Sequence, residues 1–419
     1  MFVSDPRVMP SGMVRAASAD GVVCVRLPRF ELIVAVGDRS RTSGQALAGQ
    51  ALAIAPSGGG GGALIGEVSG SAQARGVRAG MGLGEALACC PELVLVPGDP
   101  VGVAQAWEEI VQALEGIGAL VEPARPGLAF FGAAGLGALH GDIRGVLAAT
   151  RRALGRPIRI GVGPTRFCAL ACALEARSRR AWVIGARDAR RYLSSQPVSV
   201  LGFREQTSAL VPILQRLGIG TLGDLAALSA EAIADRFGEP GIQARGLALG
   251  HDEPLRARQV EDRLSESMEL AESSSGQALQ RALEALIERL LARPQRRGRT
   301  IRALTLYARL VERGTWCERV VLREAISDRR RIRLALSLRL GLLPAPAQTL
   351  GLTVEQFGPA GGEQGVLLDG ERAARMTRLR DAVVQVRAVA GPHAALRALP
   401  VDPCSRVPER RFAFTPWAV

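Results

Sequence analysis

The spacing of apolar residues changes period several times along this chain, and each change marks an element. Residues 22–27 form a short β-rich run that predicts a strand, and after Pro28 residues 30–36 continue as an extended or buried segment. Trp107, Ile110, Val111, Leu114 and Ile117 then recur at helical spacing, with Asp99 and Pro100 ahead of them as N-cap and first turn. Residues 121–122 and 128–131 read as paired strands around a turn at Pro126-Gly127. A helix follows through Val146, Leu147 and Leu154, then a strand over 158–162 and a helix from Pro164 onward. The resulting order is β-α-β-β-α-β, an α+β layer.

Between residues 207 and 228 two short helical stretches flank Leu217-Gly218-Ile219-Gly220-Thr221. This is the glycine turn of a helix-hairpin-helix, which points backbone N–H groups at a phosphate; a plain αα-turn has the same signature. Polar residues 251–267 read as a linker. Beyond them Ala278, Leu279, Ala282, Leu283, Leu286, Ile287, Leu290 and Leu291 mark an amphipathic helix, and Leu304, Leu306, Ala308 and Leu310 alternate as one face of a strand. A strand at 319–323, a helix at 332–342 and a last strand at 350–355 complete a small α+β domain. Alternation sets Thr305, Tyr307 and Arg309 opposite the apolar face, with Arg319 and Arg323 in the same register class, a face suited to a nucleic-acid backbone.

Composition sharpens this picture. With 419 residues and 47% apolar content, the chain is long enough for about three domains with real cores. Its 53 basic residues outnumber 40 acidic ones, and all are arginine. A GC-rich coding bias explains the missing lysine, but the formal charge of +13 still favours a polyanionic partner. Arginines cluster at 293, 296, 297, 299 and 302, and again at 329, 330, 331 and 333, as solvated loop charge or as phosphate contacts. The seven cysteines include no CxxC pair and the three histidines are far apart, which argues against zinc or a disulfide framework; Cys168 and Cys172 read as small buried residues. The glycine run 58–62 predicts a mobile loop and not a phosphate loop, which needs a lysine. No apolar stretch reaches membrane-spanning length and no leader pattern opens the chain, so a cytoplasmic location is expected.

Three local motifs carry a resemblance. Gly76-Val77-Arg78-Ala79-Gly80-Met81, followed by Ala86, Cys90-Pro91 and Asp99, resembles the fingers-to-palm signature of the Y-family (translesion, UmuC/DinB-like) DNA polymerases. Ile160-Gly161-Val162-Gly163-Pro164 with Phe167 and Ala169 is similar to the family's later palm motif, and residues 217–225 resemble its thumb. Together they cover roughly residues 22–357. The resemblance implies a multi-domain α+β architecture: an N-terminal tail (1–20), a ferredoxin-like palm (21–36 and 93–185), small fingers (37–92), a helix-hairpin-helix thumb (186–252), a linker (253–263), a βαβ-type little finger (264–357) and a C-terminal extension (358–419).

In that family two divalent ions, held by carboxylates on the first palm strand and in the central hairpin, stabilise the attacking and leaving oxygens of phosphoryl transfer. By position these carboxylates correspond to Arg26, Pro126 and Gly127. A guanidinium about 4 Å from a divalent ion is repelled by roughly 8 kcal/mol at an effective dielectric near 20. The fingers residues that contact the triphosphate align with Gly70 and Gln73, and the lysine of the later motif with Leu170. Asp20, Glu31 and Glu122 are the nearby acids, all out of register. The expectation is therefore a protein without catalytic residues, metal or cofactor: not an enzyme.

This pattern, with Leu27-Pro28-Arg29-Phe30 in place of the first motif, resembles the ImuB-like subgroup of mutagenic, SOS-type repair. The resemblance implies a DNA-binding scaffold for translesion synthesis that brings an error-prone replicative-type polymerase and a RecA-like accessory protein to damaged or primer-template DNA at the sliding clamp. Its DNA-binding residues would be Gly218, Ile219, Gly220, Thr221, Arg296, Arg297, Arg299, Arg309, Arg319 and Arg323. A clamp-binding peptide would lie at Gln364, Leu367 and Leu368, with Leu368 where an aromatic is preferred; a flexible polar tail is the other reading. Residues 372–389 read as a basic helix, and Trp417 as a partner anchor or an intramolecular plug. Two other functions remain open from sequence: an active lesion-bypass polymerase with relocated carboxylates, and a general DNA- or partner-binding module.

Overall fold

The computed structural model describes residues 21–37, 49–56, 63–259, 264–274, 276–311, 314–360 and 393–416, with a few isolated positions between 379 and 391. The chain divides into two compact units, Met1–Glu261 and Asp262–Val419.

In the first unit, β1 (Val22–Arg26) leads into a short helix, α1 (Phe30–Val36). Residues 30–36 were expected to be an extended or buried segment. They are helical because Phe30 and Leu32, not the β-branched Ile33 and Val34, are the buried side chains; Phe30 meets Trp107 edge-on at 5.6 Å between ring centroids. Tertiary packing here overrides the local β propensity. A parallel pair, β2 (Leu52–Ile54) and β3 (Val94–Val96), frames a small apolar cluster that includes Ile65, Val68, Val77 and Ala86. There follow α2 (Pro100–Gly116), β4 (Val121–Arg125), β5 (Leu128–Gly132), α3 (Ile143–Leu154), β6 (Arg159–Gly163), α4 (Arg166–Glu175) and β7 (Trp182–Val183). Asp99 caps α2 by accepting from the Gly102 amide at 2.8 Å, as its position before Pro100 predicts.

The sheet order β4-β5-β1-β6-β7 contains the ferredoxin-like arrangement, with β1 antiparallel to both β5 and β6. Central strand β1 is buried on both sides, which accounts for its unbroken apolar run. Val23 and Val25 join the core under α2 and α3, whereas Cys24 packs with Leu128 and Phe130 against Ala169, Leu170 and Ala173 of α4. Gly161 permits α4 to lie this close: a Cβ there would stand 2.1 Å from the Ala169 carbonyl oxygen and 2.2 Å from the Ala173 amide nitrogen. Cys168 and Cys172 are buried in the apolar cluster of the following helical region, as their spacing suggested. That region includes α5 (Val211–Arg216), α6 (Leu222–Ala227) and α7 (Ala230–Ala248), the last kinked at Gly238 two residues before Pro240.

The second unit is a four-stranded antiparallel sheet of order β10-β9-β11-β8: β8 (Leu264–Ser274), β9 (Arg299–Leu310), β10 (Thr315–Ile326) and β11 (Ala347–Ala360). Helices α8 (Gln277–Ala292) and α9 (Arg329–Leu340) cover one face, burying Leu283, Leu286 and Leu336 against Leu304, Leu306, Leu350 and Leu352. The alternation at 304–310 is thus realised. A separate two-stranded ribbon joins β12 (Leu396–Pro400) to β13 (Phe412–Pro416). Among the described residues no helix is long and apolar enough to cross a membrane.

Candidate functional site

The three positions at which the family resemblance puts carboxylates converge at one end of the first unit's sheet. The Leu27 amide donates to the Gly127 carbonyl at 2.8 Å, so the end of β1 and the β4–β5 turn are held together. Gly127 has φ +81°, and a Cβ there would stand 2.9 Å from both the Leu27 oxygen and Phe30 Cβ. The charge at this end is cationic. The Arg26 and Arg125 guanidiniums lie 5.6 and 5.2 Å from the Phe203 ring centroid, and burial, then the neighbouring Arg159, lower the pKa of Arg26.

Residues 26, 126 and 127 therefore do not fit a pair of divalent ions, and no step is derived through a metal. Among the described residues no group of three or more His, Cys, Asp or Glu is placed to ligate one. The acids named from sequence divide: Asp20 lies outside the described residues, and Glu122 is committed to Arg166 (2.5 Å) and the Arg256 amide (2.6 Å). Glu31 stays near Glu67, an acid the sequence reading missed. Burial first, and then the Glu31 charge, raise the Glu67 carboxyl, which accepts from the Leu32 amide at 3.1 Å.

The two fingers positions, Gly70 and Gln73, are both approached by Arg29. It adopts a left-handed backbone (φ 57°) just before α1, and its guanidinium donates to Gln73 Oε1 at 2.7 Å; a Cβ at Gly70 would stand 3.3 Å from it. Leu170 is fully buried beneath the sheet.

The polar stretch from residue 251 is not a free linker in its first half. Asp252, 3% exposed, accepts from Arg204 at 2.7 Å, from Arg166 at 3.3 Å and from the Phe167 amide at 2.7 Å. Arg258 straps the segment to α2 through Glu108 (2.8 Å) and Glu115 (2.6 Å), and its pKa is raised chiefly by the Glu115 hydrogen bond. The only sequence signal for this was the pairing of acids and arginines far apart in the chain, which spacing cannot connect.

The glycine turn forms between α5 and α6, with Gly218 at φ +79°. Its amides donate inside the protein: Gly218 to Gln215 at 3.1 Å, Ile219 to Leu214 at 3.0 Å, and Thr221 to the Asp224 carboxylate at 2.9 Å. Thr221 and Asp224 make a reciprocal capping box. Thr221→Ala is expected to lower stability by about 0.5–2 kcal/mol, read as a lowered urea midpoint. The Thr221 hydrogen bonds hold the Asp224 carboxyl below its ordinary 3.8. A depressed carboxyl stabilises the fold above the unfolded pKa, so this contribution is present at neutral pH and is lost as pH falls through the folded value.

Of the arginines singled out in the second unit, Arg297, Arg309 and Arg323 make no side-chain hydrogen bond or ion pair with a described residue. Arg296 is spent on the Leu291 and Arg299 carbonyls and Ser327, Arg299 stacks 4.0 Å over Phe357, and Arg319 pairs with Glu355 at 2.5 Å. One point of the expected polar face is corrected: Tyr307 is 6% exposed because its ring lies over Gly351. Arg319 and Arg323 are both exposed, opposite the buried Val320 and Leu322. Gln364, Leu367, Leu368, Trp417 and the glycine run 58–62 lie outside the described residues.

Two family models match the chain: the impB/mucB/samB family over residues 34–173 and the impB/mucB/samB family C-terminal domain over residues 262–367. A DNA polymerase IV of Dehalococcoides mccartyi (strain CBDB1) is 25% identical over 335 residues, 77% of this chain and 84% of its own length. A DNA polymerase IV of Caulobacter vibrioides is 27% identical over 198 residues, 45% of this chain and 49% of its own, so the chain spans about half of that relative. The crystal structure of DinB from Sulfolobus solfataricus aligns with a TM-score of 0.48 at 15% identity, over 81% of this chain and 100% of that one. The expectation that the chain is not an enzyme is overturned by these relatives, which are polymerases by name. Non-acidic residues at 26, 126 and 127, where the resemblance assigns carboxylates, do not demonstrate lost activity. With the amino-terminal and carboxy-terminal modules present in order, the chain belongs to the impB/mucB/samB family, the Y-family polymerase group that its palm motifs resemble.

Proposed function

We propose that this chain acts on primer-template DNA in damage tolerance, as a Y-family polymerase-type protein that works with a sliding clamp, an error-prone replicative-type polymerase and a RecA-like accessory protein. The observation that carries this reading is the co-occurrence, in one chain, of both modules of the family with a net charge of +13. In this reading each unit carries its own DNA contacts: the glycine turn Gly218–Thr221 in the first, and Arg296, Arg297, Arg299, Arg309, Arg319 and Arg323 in the second. Arg297, Arg309 and Arg323 are the second unit's principal phosphate ligands, because the other three are already engaged by protein partners.

The test is binding of a primer-template duplex across a salt series. If about six phosphates are neutralised, log affinity falls with log salt at a slope near −5. Arg309→Gln removes one of those contacts and is expected to bring the slope down by about 1. A flat salt response would remove the DNA reading. Clamp binding is assigned to Gln364, Leu367 and Leu368. Gln364→Ala is expected to abolish co-purification with the clamp, since the site lacks the aromatic anchor and starts roughly tenfold weaker than one that has it; retention at the wild-type level removes the peptide from the reading.

A further inference from the structure

One rung of the first unit's sheet carries three guanidiniums. Arg125 faces Leu128 across β4 and β5, Leu128 faces Arg26 across β5 and β1, and Arg26 faces Arg159 across β1 and β6. Residues directly opposite one another on adjacent strands project to the same side of a sheet. All three arginines therefore lie on the α4 side, where Arg159 donates to the Leu174 carbonyl at 3.3 Å and Arg26 and Arg125 converge on the Phe203 ring.

Like charges opposite each other repel, and partial burial strengthens the repulsion. Neither the Arg26 nor the Arg125 side chain makes a hydrogen bond or ion pair with a described residue. The ring of Phe203 stabilises two of the cations without neutralising either. The weak pull of Glu67 on Arg26 ranks below burial and the repulsion from Arg159 and Arg125. A dianionic oxyanion entering this rung would relieve the repulsion and meet planar donor forks, the geometry in which guanidinium groups recognise phosphate.

We propose that Arg26, Arg125 and Arg159 form a phosphate site that works without a divalent ion. It sits at the sheet end where the family resemblance sets metal-binding carboxylates, so the sign of the site is inverted. The proposal goes beyond DNA binding by the turn and the second unit, because it assigns a ligand to a different place on the chain. The phosphate comes from a nucleoside triphosphate or from a DNA strand.

The experiment is calorimetric titration of the full chain with inorganic tripolyphosphate in EDTA. Binding is expected, and Arg26→Gln is expected to weaken it about ten- to hundredfold, the loss of one charge-assisted contact. Arg125→Gln, at the exposed end of β4, should weaken it in the same direction while leaving the thermal unfolding curve unchanged. Displacement of tripolyphosphate by dATP identifies the nucleotide as the source; displacement by a 5′-phosphorylated oligonucleotide alone identifies the strand. Equal affinity in wild type and both variants, or binding that appears only with magnesium, overturns the site. Primer-template binding measured in parallel separates the two ideas, since its loss with tripolyphosphate binding intact defeats the proposed function and leaves this site standing.

Discussion

Asp252→Ala is expected to destabilise the first unit by about 3–5 kcal/mol, the range for removing one partner of a buried ion pair. The carboxylate is 3% exposed and serves three donors: Arg204, Arg166 and the Phe167 amide. Truncation leaves two guanidiniums and the first turn of α4 without their acceptor. Arg166 keeps Glu122, which favours the lower end of the range. Asp252→Asn retains an acceptor for the Phe167 amide while losing the charge, so it should fall between wild type and alanine. Urea denaturation of the full chain, followed through the transition of the first unit, reads both. A loss under about 1 kcal/mol for Asp252→Ala would mean that the network is solvated and the 251–259 strap is not structural.

Gly127→Glu, which puts an acid where the resemblance assigns a carboxylate, is expected to destabilise the same unit by about 2–5 kcal/mol. Two independent costs combine. A side chain at φ +81° strains the backbone, and its Cβ would stand 2.9 Å from the Leu27 oxygen and from Phe30 Cβ. Neither contact is the far end of a flexible chain, so relief requires moving the Leu27–Phe30 turn and with it the Phe30–Trp107 packing. Arg26→Asp carries no such steric cost and should be much better tolerated. Comparing the two denaturation midpoints checks this; equal midpoints would show that the turn yields easily.

The contrast between residues 26 and 127 illustrates how much of the site was legible in the sequence. The positions to which the resemblance assigns carboxylates, 26, 126 and 127, could be named from the motifs alone. That Arg26, Arg125 and Arg159 gather on one rung could not, since it depends on which strands become neighbours. Likewise the arginines at 296, 299 and 319 looked equivalent to those at 297, 309 and 323 as a string of charges. Their difference lies in the Leu291 carbonyl, the Phe357 ring and the Glu355 carboxylate, which folding brings to them.

Local signals decided the helix after Asp99, the hairpin around Gly127, the capped helix at Thr221 and the alternating strand at 304–310, because capping, turn geometry and amphipathic period act within a few residues. The same physics misjudged residues 30–36, where the helix is held by Trp107 some seventy positions away. It also passed over the 251–259 segment, whose polar composition reads as solvated until Glu108, Glu115, Arg166 and Arg204 are seen to enclose it. By itself the sequence determined most of the elements and their order, and through the resemblance it singled out residues 26, 126 and 127. Only the tertiary structure decided which charges are neutralised and which stand together, because electrostatic pairing depends on distance through space and on burial, neither of which is a property of position along the chain.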